Sequence, residues 1–166
     1  MKINWNHQTT TAVRDDVQPA RLDVVVPFTT LKLTRAALRY VATLGGELDV
    51  NVQLVDAQVV PFPVPVNAPT VSREFLEERL QAVAEETMLP TSAKLVFTRD
   101  RTEAFRRFLK PGSLVVIAAS GWWFSAERKL ARLLSKAGHD VVLLADHKGE
   151  KASAQRFSRP TADLVR

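Results

Sequence analysis

The sequence predicts an α/β fold: a doubly wound, mostly parallel sheet of five strands in the order 3-2-1-4-5, with helices on both faces. Three observations support this fold class. Apolar runs rich in β-branched residues alternate along the chain with segments of helical period. The chain has 166 residues, 46% of them hydrophobic, which suits one compact domain. No stretch approaches the roughly 18 uninterrupted apolar residues of a membrane-spanning helix.

The first predicted strand-helix-strand unit occupies residues 22–60. LDVVVPF, residues 22–28, is apolar on both faces, as expected of a central parallel strand. LKLTRAALRYVATL, residues 31–44, has the period of an amphipathic helix, and two glycines follow it. The next strand, ELDVNVQLVDAQVV, alternates apolar and polar residues in its first half. We therefore expect one face of this strand to be less covered, and place the strand away from the sheet centre.

A proline-rich stretch separates this unit from the next. PFPVPVNAP, residues 61–69, predicts a stiff connection, because proline lacks a backbone donor and fixes its own φ. Ser72 is a helix cap, and Pro90 marks the limit of the helix that it begins. AKLVFTR, residues 93–99, predicts the third strand, and a short helix is expected to start after Thr102.

The last unit completes an alternation of five strands and four helices. SLVVIAA, residues 113–119, is the fourth strand; a helix from about residue 126 to 137 follows, and DVVLLA, residues 140–145, is the fifth strand. In strand order 3-2-1-4-5 the chain reverses direction across the sheet between strands one and four. The loops after these two strands are therefore expected to form a ligand crevice.

Charge and composition divide the chain into a polar segment (1–20), a domain (21–146) and a basic tail (147–166). The tail has five basic and two acidic residues and contributes most of the net charge of +5. A mildly charged domain with a basic tail favours solubility over a specific nucleic-acid groove. The chain has no cysteine, and its first residues contain no apolar run typical of a signal sequence. We expect a cytoplasmic protein.

Candidates for metal binding and nucleophilic catalysis are weak. His7, His139 and His147 lack ligand spacing, so we interpret them as surface histidines and expect no metal site. Ser120 lies in AASGW, which lacks the G-x-S-x-G elbow of hydrolases. We therefore expect no catalytic residue and no enzymatic activity.

The runs LDVVVPFTTLKLTRAALRYVATLGGELDVNVQLVD, LVVIAAS and HDVVLLAD, together with the proline-rich loop, resemble the universal stress protein fold over residues 22–146. The first third is also similar to the universal-stress-like cytosolic tails of amino-acid permeases. The resemblance implies a homodimer formed through the fifth strand. It also implies a protein partner or a membrane transporter as a partner, without a membrane span of the chain's own.

The resemblance also defines what an ATP site would need. ATP-binding members carry G-x2-G-x9-G-[ST] after strand four and an acidic residue at the end of strand one. Here Pro27 takes the acidic position, and a register from Gly121 meets Phe124 and Leu134 where glycines belong; only Ser135 agrees. Glycine would let the backbone approach the phosphates, whereas bulky rings fill that space. We expect the phosphate loop to be lost and no cofactor to bind.

Three groups of residues are candidates for binding. The first is a vestigial cofactor crevice of Pro27, Phe28, Ser120, Gly121 and Ser125. The second is the aromatic run Trp122, Trp123 and Phe124, which either plugs the crevice or forms a patch that binds a partner. The third is Arg99 and Arg101, which reach an anion or belong to a polar loop in which Asp100 pairs with a neighbour.

These observations favour a non-enzymatic universal-stress-like protein that acts through protein contacts, in stress response or transporter regulation. The alternative is an adenine-nucleotide-binding member with an altered phosphate site. A weak nucleic-acid binder that uses the basic tail is a third hypothesis.

Overall fold

A computed structural model describes residues 21–46, 48–120, 125–146 and 153–157, which form a mixed α/β sheet structure. In chain order its elements are β1 (Leu22–Pro27), α1 (Leu31–Leu44), β2 (Val50–Val59), α2 (Arg73–Glu85), β3 (Thr91–Thr98), α3 (Arg101–Phe108), β4 (Leu114–Ser120), α4 (Ala126–Lys136), β5 (Asp140–Asp146) and β6 (Ser153–Phe157).

The sheet has the strand order β3-β2-β1-β4-β5-β6. The first five strands run parallel, and β6 is antiparallel to β5. The predicted order 3-2-1-4-5 is therefore confirmed, and a sixth strand is added to it. The carboxyl ends of β1 and β4 lie side by side at the centre of the sheet, at the predicted reversal point.

Side-chain caps begin each helix where the local sequence offers an oxygen. The helix α1 matches its predicted range, with Thr30 accepting a hydrogen bond from the Leu33 amide, and Ser72 caps α2 as expected. The helix α3 begins at Arg101, earlier than predicted, because Asp100 accepts hydrogen bonds from the first amides of the helix. The cap supplies acceptors for N–H groups that no helical carbonyl can reach.

Two apolar layers cover the sheet, one on each face. One layer joins alternate strand residues such as Val24 and Val52 to the buried faces of α1 and α2. The other joins residues such as Val55 and Ile117 to α3 and α4. Helices on both faces of the sheet were predicted, and this arrangement confirms them.

The alternation noted in β2 has a structural cause. Val50, Val52 and Leu54 are buried on the α1/α2 face, whereas Asn51 and Gln53 are only half-buried on the opposite face. The helix on that face, α3, has just eight residues and leaves the amino-terminal half of the strand uncovered. The expectation of a less covered face is confirmed.

Three expectations about the last part of the chain are wrong. The fifth strand was expected to offer a free edge to a second copy, but β6 pairs along it, from Val141 opposite Phe157 to Ala145 opposite Ser153. Residues expected to be only a basic tail therefore include a strand that completes the sheet. His139 was interpreted as a surface residue, yet it is 4% exposed, because it follows α4 directly into the core-forming β5.

No helix in the part of the chain that the structure describes is both long and apolar enough to cross a bilayer.

Removing β6 is expected to promote self-association. A chain ending at Asp146 would leave unpaired the β5 backbone donors and acceptors that face β6, and an unprotected strand edge recruits other strands. Light scattering after size exclusion should give a larger mass than the full chain has, and the melting temperature should fall. The matched control ends at Phe157 and keeps β6. Identical mass and stability of both truncated chains and the full chain would contradict this role of β6.

Candidate functional site

The predicted crevice lies at the carboxyl ends of β1 and β4. Pro27 and Phe28 are buried at the end of β1, and Ser120 is exposed at the end of β4. Ser125 caps α4 beside them, its hydroxyl accepting a hydrogen bond from the Arg128 amide at 3.3 Å. The predicted crevice residue Gly121 and the aromatic run Trp122, Trp123 and Phe124 lie outside the described residues.

Phe28 directly follows Pro27, the position at the end of β1 where a cofactor-binding carboxylate was sought. Its ring is 6% exposed, and the guanidinium of Arg79 lies over it, 4.9 Å from the ring centroid. Its backbone amide donates to the Val55 carbonyl at 2.8 Å, which prolongs the β1–β2 pairing by one residue. The end of this strand is therefore packed.

Arg101 crosses from α3 to the end of β1. Its Nη2 donates to the Phe28 carbonyl, while its Nε is buried with no hydrogen-bond partner among the described residues. Asp100, the preceding residue, accepts from the amides of Thr102 at 2.7 Å and Glu103 at 3.1 Å. Asp100 therefore caps α3. A pairing with a neighbouring side chain was considered from the sequence, whereas the Asp100 carboxylate accepts from backbone amides of its own helix.

Arg99 binds the proline loop, residues 60–72. Its guanidinium donates to three backbone carbonyls, those of Val60 at 2.8 Å, Pro61 at 2.9 Å and Val64 at 2.7 Å. It also lies over the Phe62 ring, 4.7 Å from the centroid. In this structure the candidate anion-binding residues Arg99 and Arg101 both donate to protein carbonyls. Arg99 contacts the proline loop and Arg101 contacts the end of β1, so the structure does not bring them together at one site.

The part of the crevice that the structure describes is small. A pocket of about 190 Å³ lies between Thr29, the start of α3 and the start of α4, with Lys129 at its wall. Pockets for small organic ligands commonly measure about 300–1,000 Å³. The described pocket is therefore smaller than those that hold ligands of nucleotide size.

The proline loop and its flanks expose large apolar side chains. Phe62 is 86% exposed although Arg99 holds the backbone on either side of it. Large apolar side chains are also exposed at Val59, before the loop, and at Val71 and Phe75 near the start of α2. This segment is thus an ordered surface with apolar residues facing solvent.

The loop ends at a capped helix. The Ser72 hydroxyl accepts a hydrogen bond from the Phe75 amide at 3.3 Å and donates to the Glu74 carboxylate at 2.6 Å. That donation lowers the pKa of Glu74, and the nearby backbone amide lowers it further. The carboxylate therefore stays charged near the amino end of α2, where negative charge is favourable.

An ion pair between the buried Asp56 and the half-buried Arg79 supports this end of the sheet and was not identified from the sequence. Asp56 is 2% exposed in β2, and its Oδ2 accepts from Arg79 at 3.3 Å and from Gln58 at 2.8 Å. Arg79 also lies over Phe28, so one side chain links α2, β2 and the end of β1. The available signal was a lone aspartate in the apolar run LVDAQVV.

Among the described residues, no cluster of three or more His, Asp and Glu side chains is arranged to hold a metal ion. His7 and His147 lie outside the described residues.

Comparison with known proteins finds no family model that matches the chain and no curated protein that matches it. The structure itself gives the class of protein: an α/β protein with a mostly parallel sheet of strand order β3-β2-β1-β4-β5-β6.

Proposed function

We propose that this chain is a non-enzymatic protein of the universal-stress-like type that acts through contacts with another protein, in stress response or transporter regulation. The observation that carries the proposal is the proline loop, in which Arg99 holds three carbonyls while Phe62 is exposed to solvent. Aromatic side chains, phenylalanine included, are enriched in the cores of protein interfaces.

The order of the loop matters energetically. A flexible loop loses conformational freedom on binding, and this cost reduces affinity. Arg99 has already restricted the backbone around Phe62 through hydrogen bonds and ring contact. A partner with an apolar pocket would therefore gain the contact with Phe62 without ordering the segment that carries it.

The contacts at the crevice support a role without nucleotide. A phosphate chain needs open space, backbone amides and unengaged cations. Phe28 fills the end of β1, and Arg101 and Arg99 donate to protein carbonyls instead. Arg101 lines the described pocket, and its contact with the Phe28 carbonyl would have to break before that nitrogen could bind a triphosphate there.

One observation favours the alternative, adenine-nucleotide binding at an altered phosphate site. The Nε of Arg101 is buried without a hydrogen-bond partner among the described residues, and the pocket beside it includes Lys129 and the start of α4. An anion in this pocket would be bound by a cationic side chain and by the first backbone amides of α4 together. This alternative requires ATP or AMP to bind to the folded chain.

The proposed function and its alternative predict different results in a thermal-shift experiment with ATP and Mg²⁺. Our proposal expects no change in the melting temperature of the full chain. A ligand at 100 times its Kd stabilises the folded state by about 2.7 kcal/mol, which would raise the melting temperature by several degrees. A rise that Arg101→Met abolishes, and that the exposed-helix control Lys136→Met does not, would overturn the proposal in favour of nucleotide binding.

Protein contact is tested with a photo-crosslinking amino acid in place of Phe62. The same substitution at Gln81, an exposed residue of α2, is the control. A partner crosslinked at Phe62 but not at Gln81 should bind the purified chain, and Phe62→Ser should weaken that binding about tenfold or more.

A homodimer is included in the proposal: if the crosslinked partner is a second copy, light scattering should give twice the chain mass. Equal binding of wild type and Phe62→Ser would contradict the role of the loop.

A further inference from the structure

The sheet carries a second cavity, lined by polar and apolar residues, at the end opposite the crevice. It measures about 670 Å³, within the usual range for ligand sites, and lies over the amino ends of β1, β2 and β3. We name it the amino-end cavity and define its floor as Asp23, Asn51, Gln53, Ser92 and Lys94. Its walls come from the loop between α3 and β4, and from Arg156 of β6.

Strand register places these polar side chains on one face. Asp23 is paired with Asn51, and Gln53 with Ser92, in adjacent parallel strands. Lys94 lies two residues beyond Ser92 and therefore points the same way, since side chains alternate along a strand. The eight-residue α3 does not extend over these rows. The floor is a polar patch on this face of the sheet, and it borders apolar residues such as Val25 that also line the cavity.

The floor offers donors and acceptors together. The Asn51 amide donates to the Asp23 carboxylate at 3.0 Å, which orients both groups. Gln53 is half-buried, and its amide has no hydrogen bond within the part of the chain that the structure describes. Side-chain amides and carboxylates can bind hydroxyl groups, which donate and accept at once. A molecule with several hydroxyls matches this floor.

The surroundings of the floor are more basic than acidic. Lys94, Lys110, Arg21 and Arg156 line the cavity, against the carboxylates of Asp23 and Asp140. Arg21 also approaches Asp49, at 3.9 Å, so its charge is partly matched. The remaining positive charge favours an anionic group such as phosphate, which carries a charge of about −1.5 to −2 at neutral pH.

We propose that the amino-end cavity binds a small polyhydroxylated molecule that carries a phosphate, of the sugar-phosphate class. A single nucleic-acid strand fits less well, because such strands stack their bases on several aromatic side chains. This cavity is lined by one aromatic residue among the described ones, Phe108, and Lys94 lies over its ring at 4.1 Å. The site is independent of the crevice and of the proline loop.

The experiment titrates the full chain with hexose and pentose monophosphates, glucose, inorganic phosphate and an oligothymidylate, using calorimetry or NMR. We expect saturable binding of at least one sugar phosphate, tighter than binding of glucose or inorganic phosphate. Gln53→Ala and Lys94→Met should each weaken it about tenfold. Gln81→Ala and Lys136→Met, on exposed helix surfaces away from the cavity, are the matched controls and should leave it unchanged.

Several results would overturn the proposal. The first is that no sugar phosphate binds at concentrations up to about 10 mM, a Kd weaker than that of even poor specific sites. The second is that inorganic phosphate binds as tightly as the sugar phosphates, and the third is that folded Gln53→Ala and Lys94→Met bind as well as the wild type. The fourth is that oligothymidylate displaces the sugar phosphate at a lower concentration than the sugar phosphate itself requires. None of these depends on Arg101 or Phe62, so the proposed function would stand or fall separately.

Discussion

Phe105→Ala is expected to lower the free energy of unfolding by about 4 kcal/mol, a typical cost for removing a fully buried aromatic ring. Phe105 is 0% exposed and ranks among the largest fully buried side chains of the described residues. It lies in the layer shared with α4, β2 and β4, so its removal leaves a cavity that several elements border. Its helix also carries Arg101, which contacts the end of β1.

Urea unfolding at equilibrium measures this loss, and Phe108→Ala is the matched control. Phe108 lies on the same helix and undergoes the same chemical change, but it is half-buried at the edge of the amino-end cavity. Its replacement should cost clearly less than that of Phe105, because less surface leaves water when it folds. Equal losses for the two variants would show that α3 does not pack through Phe105.

Arg79→Met is expected to lower the free energy of unfolding by about 2 kcal/mol, since it leaves the buried Asp56 carboxylate without its half-buried counter-charge. Asp56 is almost fully buried, and Arg79 and Gln58 are the residues that donate to its carboxylate. Gln58 alone supplies no positive charge. The variant also loses the guanidinium over Phe28, so the end of β1 should become less rigid.

A double variant separates the ion pair from general loss of packing. Asp56→Leu combined with Arg79→Met removes both charges, and apolar replacement of a buried pair is often neutral or better. The double variant should therefore recover most of the stability lost in Arg79→Met. Arg73→Met is the control, because its exposed pair with Glu77 at 3.1 Å should contribute about 1 kcal/mol or less. A double variant less stable than Arg79→Met would contradict this account.

Phe105→Ala and Arg79→Met also test which contacts keep the crevice closed. Phe105 holds α3 against the sheet, and Arg101 at the start of that helix contacts the Phe28 carbonyl. Arg79 holds the Phe28 ring from the opposite face. If these contacts exclude nucleotide, loosening either one should increase any weak ATP binding before the chain unfolds. The thermal-shift assay above measures that change in the same variants.

Features that depend on neighbouring residues could be predicted from the sequence. The range of α1 follows from its apolar period, and the cap of α2 follows from the short polar side chain of Ser72. Strand order follows from strict alternation, because right-handed crossovers leave few ways to arrange parallel strands. The uncovered face of β2 was visible in its alternation of polar and apolar residues.

Features that depend on distant residues could not be predicted in this way. Arg99 and Arg101 were recognised as cations, but nothing local indicates that their partners are carbonyls 35 or more residues away. The pairing of Asp56 with Arg79 spans 23 residues of sequence. The short strand β6 has no strong apolar pattern and forms because β5 offers it an unpaired edge.

The sequence by itself therefore determined the α/β class, the starts of α1, α2 and α4 and the order of the parallel strands, since these follow from local periodicity, capping and chain handedness. Only the tertiary structure decided which charged groups face solvent and which face one another. It also decided where the polar faces of three strands meet to form a cavity. Burial and partner choice are set by residues far apart in the chain, and no local pattern specifies them.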